Sequence, residues 1–191
     1  MNSTVAERTD SAAVRWYPLR IYHASVRRQQ DMKAALDSEE AVAETYVPQR
    51  LIDAEANEYA PALLNYVFVR TDMHSLRELK RLPKYGLLRY VMLREHDGRG
   101  NRTSRIAFVT DREMLNFQQV VSSMNDQVEY IQNSDFAMRP GRKVRITEGM
   151  FQGIEGTLKS IRKHLCVIVA LNGLMAVAIT GIHRKHIVPA D

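Results

Sequence analysis

The sequence contains one cysteine and no long apolar run. A single cysteine, Cys166, cannot form an internal disulfide or a two-cysteine metal site. There is no stretch of about 18 apolar residues, which is the usual pattern of a membrane-spanning helix. Residues 1–15 lack the basic start and apolar centre of a secretion signal. We therefore expect a cytoplasmic protein without membrane contact, whose 191 residues form one ordinary domain or two small ones.

The sequence also lacks the common motifs of catalysis and cofactor binding. It has no P-loop, no dinucleotide-binding glycine turn and no nucleophile elbow. His183 and His186 lie three residues apart, but no Cys or His cluster supplies the remaining ligands of a zinc site. Cys166 lies within an apolar run, which favours a structural thiol over a nucleophile. The sequence therefore favours a binding protein, with no catalytic residue, cofactor or metal, over an enzyme.

Charged residues are abundant but unevenly placed. The hydrophobic content of 45% and the charged content of 26% are typical of a globular protein. The net charge is +5, yet residues 37–58 carry seven acids and one base, whereas residues 70–105 carry ten bases and four acids. Residues 106–138 are again acidic, and residues 139–191 are basic. Basic surfaces suit phosphate backbones or acidic partners, although ordinary surface charging gives the same pattern.

Hydrophobic periodicity predicts an α+β domain over residues 15–124, preceded by a disordered tail at residues 1–14. We predict strands at residues 16–22, 43–47, 63–69, 87–93 and 106–109, and helices at residues 25–36, at residues 72–82 and after Thr110. Residues 49–62 are expected to form a loop or hairpin, and residues 95–105 an exposed loop. This order predicts a small, mostly antiparallel sheet covered by three helices.

The composition changes near residue 125. Residues 125–138 are acidic, polar and weakly periodic, which predicts a linker. Residues 139–191 have the pattern of short strands, including the apolar segment 164–171. Asn172-Gly173 is a hairpin turn signal. Four or five strands in about fifty residues predict a small closed, SH3-like β-barrel.

Two candidate binding surfaces follow from these patterns. Strand 63–69 is apolar on both faces, and three helices cannot cover every face of the sheet, so these side chains are either core or a protein-partner site. Its aromatic and aliphatic members, with one from a neighbouring strand, are Leu63, Leu64, Tyr66, Phe68 and Tyr90. The basic side chains of the first two helices form either a nucleic-acid surface or a solvated helix face. They are Arg27, Arg28, Lys33, Lys80, Arg81 and Lys84.

In combination, these motifs resemble the NusG-type transcription elongation factors over residues 15–190. Trp16-Tyr17, Tyr46-Val47-Pro48, Asn65-Tyr66-Val67-Phe68-Val69 and Leu88-Arg89-Tyr90-Val91 resemble the N-terminal (NGN) domain of that family. Residues 139–156 (RPGRKVRITEGMFQGIEG) resemble the KOW motif of its C-terminal barrel, with Gly149, Phe151, Gly153 and Gly156 at motif positions. The chain is most similar to the UpxY-type specialised paralogues, which act on polysaccharide operons.

The resemblance implies a function in transcription without bond chemistry. In the family, the N-terminal domain binds the clamp helices of the RNA polymerase β′ subunit, bridges the DNA cleft to the β subunit and suppresses pausing or termination. The clamp-helix site falls on Arg20, Leu63, Leu64, Tyr66, Phe68 and Tyr90, where Leu63-Leu64 replace the usual aromatic and proline, and Arg20 takes a position that is aromatic in some relatives. The β-side contact falls on Arg77, Glu78 and Leu79. The contact with upstream or non-template DNA falls on Tyr22, His23, Arg27, Arg28 and Lys84.

The barrel of such factors recruits a second partner, such as a ribosomal protein or the termination factor Rho. The loops around Phe151 and Asn172-Gly173 are the corresponding candidates here. Three alternatives stay open. The first is an RNA-binding adaptor with a sheet like that of the RNA-recognition motif (RRM), because LNYVFVR is similar to that motif's stacking strand although the Lys/Arg-Gly start is missing. The others are a ribosome-associated KOW protein and a housekeeping NusG factor.

Overall fold

The structure is a computed structural model of the chain. It describes residues 13–53, 55, 58–96, 100–123, 127–131, 141–161, 164–171 and 175–190. Within these ranges the fold is α+β, with three α-helices and antiparallel sheets. Each described helix is too short or too polar to span a lipid bilayer. The chain divides into two compact units: the first is Met1–Pro48 with Ala60–Thr110, and the second is Gln49–Tyr59 with Asp111–Asp191.

The three α-helices are interspersed among the strands of the described residues. In order they are β1 (Arg15–Ile21), α1 (Val26–Asp37), β2 (Glu44–Tyr46), β3 (Gln49–Asp53), β4 (Glu58–Pro61), β5 (Tyr66–Thr71), α2 (Met73–Arg81), β6 (Leu88–Tyr90), β7 (Met92–His96), β8 (Arg102–Ile106), α3 (Asp111–Ser122), β9 (Val128–Ile131), β10 (Arg142–Ile146), β11 (Glu155–Ile161), β12 (His164–Leu171), β13 (Met175–Ile179) and β14 (Ile187–Pro189). Short 3-10 turns lie at Pro83–Tyr85 and Arg184–His186. The three predicted helices are confirmed.

The first unit is built on a four-stranded antiparallel sheet of order β2-β5-β1-β6. Alternate residues of a strand point to opposite faces, and the face with Tyr17, Leu19 and Ile21 packs against α1 and α2. These side chains form a buried cluster with Leu36 of α1 and Leu76 of α2. Burying a large apolar side chain contributes about 1.5–3 kcal/mol. The core of the first unit therefore lies on this face of the sheet.

Both helices of the first unit begin at capping residues. The Ser25 side chain accepts a hydrogen bond from the Arg28 backbone N–H at 3.2 Å, and the Asp72 side chain accepts one from the Ser75 N–H at 3.0 Å. Such caps stabilise a helix by about 1 kcal/mol. Helix α2 ends before Pro83, whose ring cannot continue it. Helix α2 therefore has a capping residue at its start and a proline that stops it at its end.

Residues 92–106 form a hairpin, whereas residues 95–105 were expected to form an exposed loop. Strands β7 and β8 pair antiparallel, with Met92 opposite Ile106. Residues 102–104 are exposed. A two-stranded ribbon is held by backbone pairing, and the exposed side chains of residues 102–104 show no hydrophobic alternation that would predict a strand. Strands β3 and β4 form another two-stranded sheet, which confirms the hairpin alternative for residues 49–62.

The second unit contains a six-stranded antiparallel sheet of order β14-β10-β11-β12-β13-β9. Its central strand β12 is deeply buried, with Cys166, Val167 and Ile168 at most 1% exposed. Helix α3 packs on β12 and β13. Among the described residues the sheet does not close into the predicted barrel, because β9 takes the outer edge of β13 and no ladder joins β9 to β14.

The boundary between the units differs from the predicted one. The predicted linker at residues 125–138 contains β9, which pairs with β13 so that Val128 lies opposite Ile179. Helix α3, expected within the domain of residues 15–124, belongs to the second unit because its buried face packs on that unit's sheet. Strand β9 has only four residues, too few to show a strand pattern. Residues 1–12 of the predicted tail and residues 125, 126 and 132–138 of the predicted linker lie outside the described residues.

Candidate partner-binding face

The sheet of the first unit has a second face, opposite to the one that packs on α1 and α2. Arg20 of β1 lies directly opposite Tyr66 of β5, and Phe68 lies two residues further along β5. Tyr90 of β6 instead lies opposite Leu19. Directly opposite residues share a face, as do residues two apart in one strand. Arg20, Tyr66 and Phe68 therefore share the second face, and Tyr90 shares the core face with Leu19.

The structure places two residues of the predicted clamp-helix site, Tyr90 and Phe68, differently from the prediction. Tyr90 packs against the core, and the Lys80 ammonium lies 5.8 Å from the centre of its ring. Phe68 is fully buried, and its ring centroid lies 6.3 Å from that of Tyr46. Strand β5 is apolar on both faces, so its alternation cannot show which side chains are covered. The ring of Phe68 is therefore unavailable to a partner, whereas Tyr90 is half-buried on the core face of the sheet.

Four residues of the predicted site stay accessible, and we call them the docking face: Arg20, Leu63, Leu64 and Tyr66. Arg20 is exposed, Leu64 is 39% exposed, and Leu63 and Tyr66 are half-buried. Arg20 Nη2 donates a hydrogen bond to the Tyr66 hydroxyl at 2.9 Å, and its guanidinium lies 5.5 Å from the centre of the Tyr66 ring. The cation is thus held beside an aromatic ring. Accessible leucines next to a fixed cation suit a partner with both apolar and acidic groups.

Gln29 of α1 holds the segment that carries the docking face. Its side chain is 1% exposed, and its Nε2 donates to the carbonyl oxygens of Leu63 at 2.7 Å and Tyr66 at 2.6 Å. A buried amide that bridges a helix to two backbone carbonyls fixes the start of β5 relative to α1. Sequence analysis missed Gln29 because a glutamine in a polar helix is most often a surface residue. Only its side-chain contacts reveal its role.

Replacing Gln29 with Leu is expected to destabilise the first unit by about 2–3 kcal/mol, because two buried carbonyls lose their donor. The neighbouring Gln30 is exposed, so Gln30→Leu is the matched control and should cost less than about 0.5 kcal/mol. Urea denaturation of both variants measures the difference. Equal losses of stability in the two variants would contradict the positioning role of Gln29.

The predicted β-side contact on α2 is only partly accessible. Arg77 and Glu78 are exposed, whereas Leu79 is 6% exposed and belongs to the core. Leu79 follows Leu76 by three residues, and this helical spacing directs both toward the sheet. Glu78 pairs with Arg81 at 2.6 Å on the exposed side of the helix. Leu79 is therefore a core residue rather than a contact.

The predicted nucleic-acid residues cluster at the end of β1. Tyr22 is 53% exposed, and its ring meets that of His23 edge-on with centroids 4.7 Å apart. His23 has a φ of 51°, a left-handed conformation that is uncommon for a residue other than glycine. The Arg28 guanidinium donates to the His23 carbonyl and so supports this turn. Arg89, which sequence analysis did not select, lies 5.7 Å from the centre of the Tyr22 ring.

Lys84 and Arg27, two other cations of the predicted nucleic-acid site, differ in whether they are free to bind a phosphate. Lys84 Nζ pairs with Glu39 at 2.5 Å. Hydrogen bonds from Lys84 and then from Tyr85 lower the pKa of Glu39. Arg27 meets Asp31 only at 3.9 Å, and both side chains are largely exposed. Because exposed ion pairs contribute little, Arg27 stays available for a phosphate, whereas Lys84 is engaged within its unit.

The glycine-rich segment of the second unit forms a tight turn that leads into β11. Gly149 has a φ of 85° and Gly153 a φ of 87°, both in the left-handed region that favours glycine. The Gly153 N–H donates to the Ile146 carbonyl at 2.8 Å. Gly156 packs against β12, where an added Cβ would lie 2.6 Å from the Ile168 carbonyl oxygen. Each of these three glycines thus meets a backbone requirement.

In the predicted partner loop of the second unit, the side chain of Phe151 is buried rather than available to a partner. Its side chain is 3% exposed, while the adjacent Met150 is 62% exposed. The resemblance placed a partner-binding loop around Phe151, and in this turn the phenylalanine ring is buried whereas the methionine side chain is exposed. Phe151 is therefore a core residue. The other candidate loop, Asn172-Gly173, lies outside the described residues.

Glu155 links α3 to the sheet of the second unit. Its Oε1 accepts hydrogen bonds from Arg145 Nε at 2.9 Å and Nη2 at 2.5 Å, and its Oε2 accepts one from Arg112 Nη2. The hydrogen bonds from Arg145 lower the pKa of Glu155, and the charge of Arg112 acts in the same direction. Sequence analysis had no signal for this pairing, because Arg112 and Glu155 are far apart in the chain.

Replacing Glu155 with Gln is expected to lower the free energy of unfolding by about 1 kcal/mol at neutral pH. A lowered folded-state pKa means that the carboxylate stabilises the protein above its ordinary pKa of 4.5, and that this contribution is lost as pH falls through the folded value. The difference between the two proteins should therefore vanish in acid. Glu148→Gln is the control, because Glu148 is 68% exposed in its pair with His186. Urea titrations across pH measure both, and a difference that persists in acid would contradict the assignment.

Comparisons with known proteins do not identify a family for this chain. No protein-family model matches it, and no curated protein matches it either. The chemistry of the docking face and of the Tyr22 cluster therefore carries the functional argument.

Proposed function

We propose that this protein is a NusG-type transcription elongation or antitermination factor that binds the clamp helices of the RNA polymerase β′ subunit. The docking face is the observation that carries the proposal. It offers the accessible side chains of Leu63 and Leu64 in the segment before β5, together with the fixed guanidinium of Arg20 on the sheet face opposite to the α1 and α2 core. A coiled coil presents apolar and charged side chains side by side and suits such a face.

The composition of the two units supports the proposal. The first has an antiparallel sheet with one face covered by two of the three helices that the resemblance implies for an NGN-like domain. The second has an antiparallel sheet of short strands, as the resemblance implies for a KOW domain, with β9 added at one edge. The left-handed glycines Gly149 and Gly153 lie in the segment that resembles the KOW motif.

The proposed mechanism needs no catalytic group. A factor that binds one conformation of the polymerase more tightly than another raises the population of that conformation. In this account the docking face binds β′, Arg77 and Glu78 contact the β side, and Tyr22, His23 and Arg27 contact upstream or non-template DNA. The paused state becomes less populated because the protein stabilises the state that elongates. We infer an operon-specific role in the bacterial cytoplasm, with a ribosomal protein or Rho as the partner of the second unit.

Transcription in vitro tests the proposal directly. Purified bacterial RNA polymerase is followed through a defined pause and a terminator, with and without the protein. The pause lifetime should fall about two- to tenfold, equivalent to about 0.4–1.4 kcal/mol, and readthrough should rise until the protein saturates. A template with the leader of a polysaccharide operon, compared with an unrelated leader, separates an operon-specific factor from a housekeeping one. No change on either template would contradict the proposal.

A second candidate function is RNA binding without polymerase. The exposed ring of Tyr22 lies beside His23 and Arg89, which is the composition of a base-stacking site. Burial of Phe68 removes one of the two rings that an RRM-like platform on β5 would need. Gel shifts with naked single-stranded RNA at two salt concentrations separate the functions. Tight and strongly salt-dependent binding would favour the adaptor.

A further inference from the structure

Two arginines lie directly opposite each other on the sheet face that includes the docking face. Arg20 of β1 pairs in register with Arg89 of the edge strand β6, and both side chains are exposed. Directly opposite residues share one face of a sheet, and like charges in such a pair are destabilising. The fold thus keeps two positive charges side by side at the edge of its sheet.

No carboxylate among the described residues offsets this pair. Arg20 contacts the hydroxyl and the ring of Tyr66. Arg89 donates to the Leu88 carbonyl at 2.8 Å and lies near the ring of Tyr22. The ion pairs within the described ranges involve other cations. Within the described residues the two guanidinium groups therefore contact neutral groups: Arg20 contacts Tyr66, and Arg89 contacts the ring of Tyr22 and the carbonyls of Gly86 and Leu88.

Each guanidinium is also held beside an aromatic ring before any partner binds. Tyr66, Arg20 and Arg89 lie in register across β5, β1 and β6, and the ring of Tyr22, which follows β1, lies beside Arg89. A long side chain that is already ordered loses less entropy on binding than a freely rotating one. Guanidinium groups fixed in this way are suited to carboxylate or phosphate recognition.

The neighbours of Arg20 and Arg89 favour carboxylates on a protein helix over the phosphates of a nucleic acid. Leu64 is 39% exposed and Leu63 is half-buried next to Tyr66, and an apolar stripe of a helix would cover them whereas a phosphate backbone would not. Adjacent strands lie about 4.8 Å apart. Side chains one helical turn apart are separated by about 5–6 Å, so the backbone positions of Arg20 and Arg89 are spaced like two such side chains.

We propose that Arg20 and Arg89 bind two carboxylates, one helical turn apart, on an amphipathic helix whose apolar stripe covers Leu63 and Leu64. This inference rests on the proposed function, because the helix would be one of the β′ clamp helices. It adds the requirement that the contacting helix is acidic at two positions beside its apolar stripe.

Two designed helical peptides test the inference on the full chain. They share one leucine stripe, and one carries two Glu a turn apart where the other carries Gln. The protein should bind the Glu peptide about tenfold more tightly, with a preference that declines in high salt. Arg20→Gln and Arg89→Gln should each reduce the preference about three- to fivefold, and the double variant should abolish it. Arg142→Gln, which removes an exposed arginine from β10 of the second unit, is the control and should leave the preference unchanged.

Equal affinity for the two peptides, or an unchanged preference in the double variant, would overturn the inference. A second contrary outcome is that the same substitutions weaken binding to a short single-stranded DNA more than binding to the Glu peptide. Thermal melting of the variants confirms that they are folded. The isolated β′ clamp helices separate this inference from the proposed function. If the protein keeps its peptide preference but does not bind them, the proposed function fails alone; if it binds them without any peptide preference, the inference fails alone.

Discussion

Replacing Leu63 with Asp together with Tyr66 with Ala is expected to weaken binding to RNA polymerase at least about a hundredfold, because central apolar and aromatic contacts each carry about 2 kcal/mol or more. The aspartate places a charge in the apolar part of the docking face. The alanine removes the ring and hydroxyl that hold Arg20. Both side chains are only half-buried, so the fold should survive. A pull-down with core polymerase measures the loss.

The matched control for this variant is Leu115→Asp. Leu115 is an exposed leucine of α3, with 64% of its surface accessible, in the second unit. The same leucine-to-aspartate change there should leave polymerase binding within about twofold, because it lies outside the docking face. Thermal melting of both proteins checks that they are folded. Full retention of the double variant by polymerase would show that the docking face is not the site of contact.

Replacing Gly156 with Ala is expected to destabilise the second unit by about 2–3 kcal/mol, the cost of overpacking a close contact. The new Cβ would lie 2.6 Å from both the Ile168 carbonyl oxygen and Val167 Cγ1. The oxygen belongs to the backbone of β12, which pairs with β11 through Thr157 opposite Ile168. It cannot move away without disturbing that pairing, so the strands must separate locally. Urea denaturation measures the loss.

Gly149→Asn is the control for the Gly156 variant. Gly149 has a φ of 85° and no atom within 4 Å of an added Cβ. Asparagine tolerates the left-handed region better than most residues, so this change should cost about 1 kcal/mol or less. The comparison separates loss of space from loss of conformational freedom. Similar losses at both positions would contradict the argument from close packing.

The sequence predicts two kinds of element correctly: helices with one buried face, and strands with both faces buried. Strand β12 is apolar throughout because both of its faces are buried, and the prediction at residues 164–171 is confirmed. Helix α2 is amphipathic and has a cap and a proline stop, so its position is confirmed as well. Strand β8 could not be predicted, because the side chains of residues 102–104 are exposed and its pairing with β7 involves the backbone.

The sequence predicted an apolar and aromatic binding face, but it could not show which of the predicted residues are exposed on it. Strand β5 is apolar on both faces. Alternation places Tyr66 and Val67 on opposite faces of the sheet, but it does not show that Phe68 is buried. The sheet face on which Tyr90 lies depends on the register of β6 against β1. Strand β6 follows the 3-10 turn at Pro83–Tyr85, and hydrophobic periodicity does not determine its register. Gln29 acts through contacts with a segment distant in sequence. Such contacts depend on the packed structure.

The central claim is that the docking face binds the β′ clamp helices. The most direct measurement is a titration of the isotopically labelled full chain with the isolated clamp-helix fragment. Amide chemical shifts report which residues are affected. The account predicts saturable shifts at residues 63–66 and at Arg20, with little change in β11 and β12. Saturating fragment that leaves residues 63–66 and Arg20 unperturbed would contradict it.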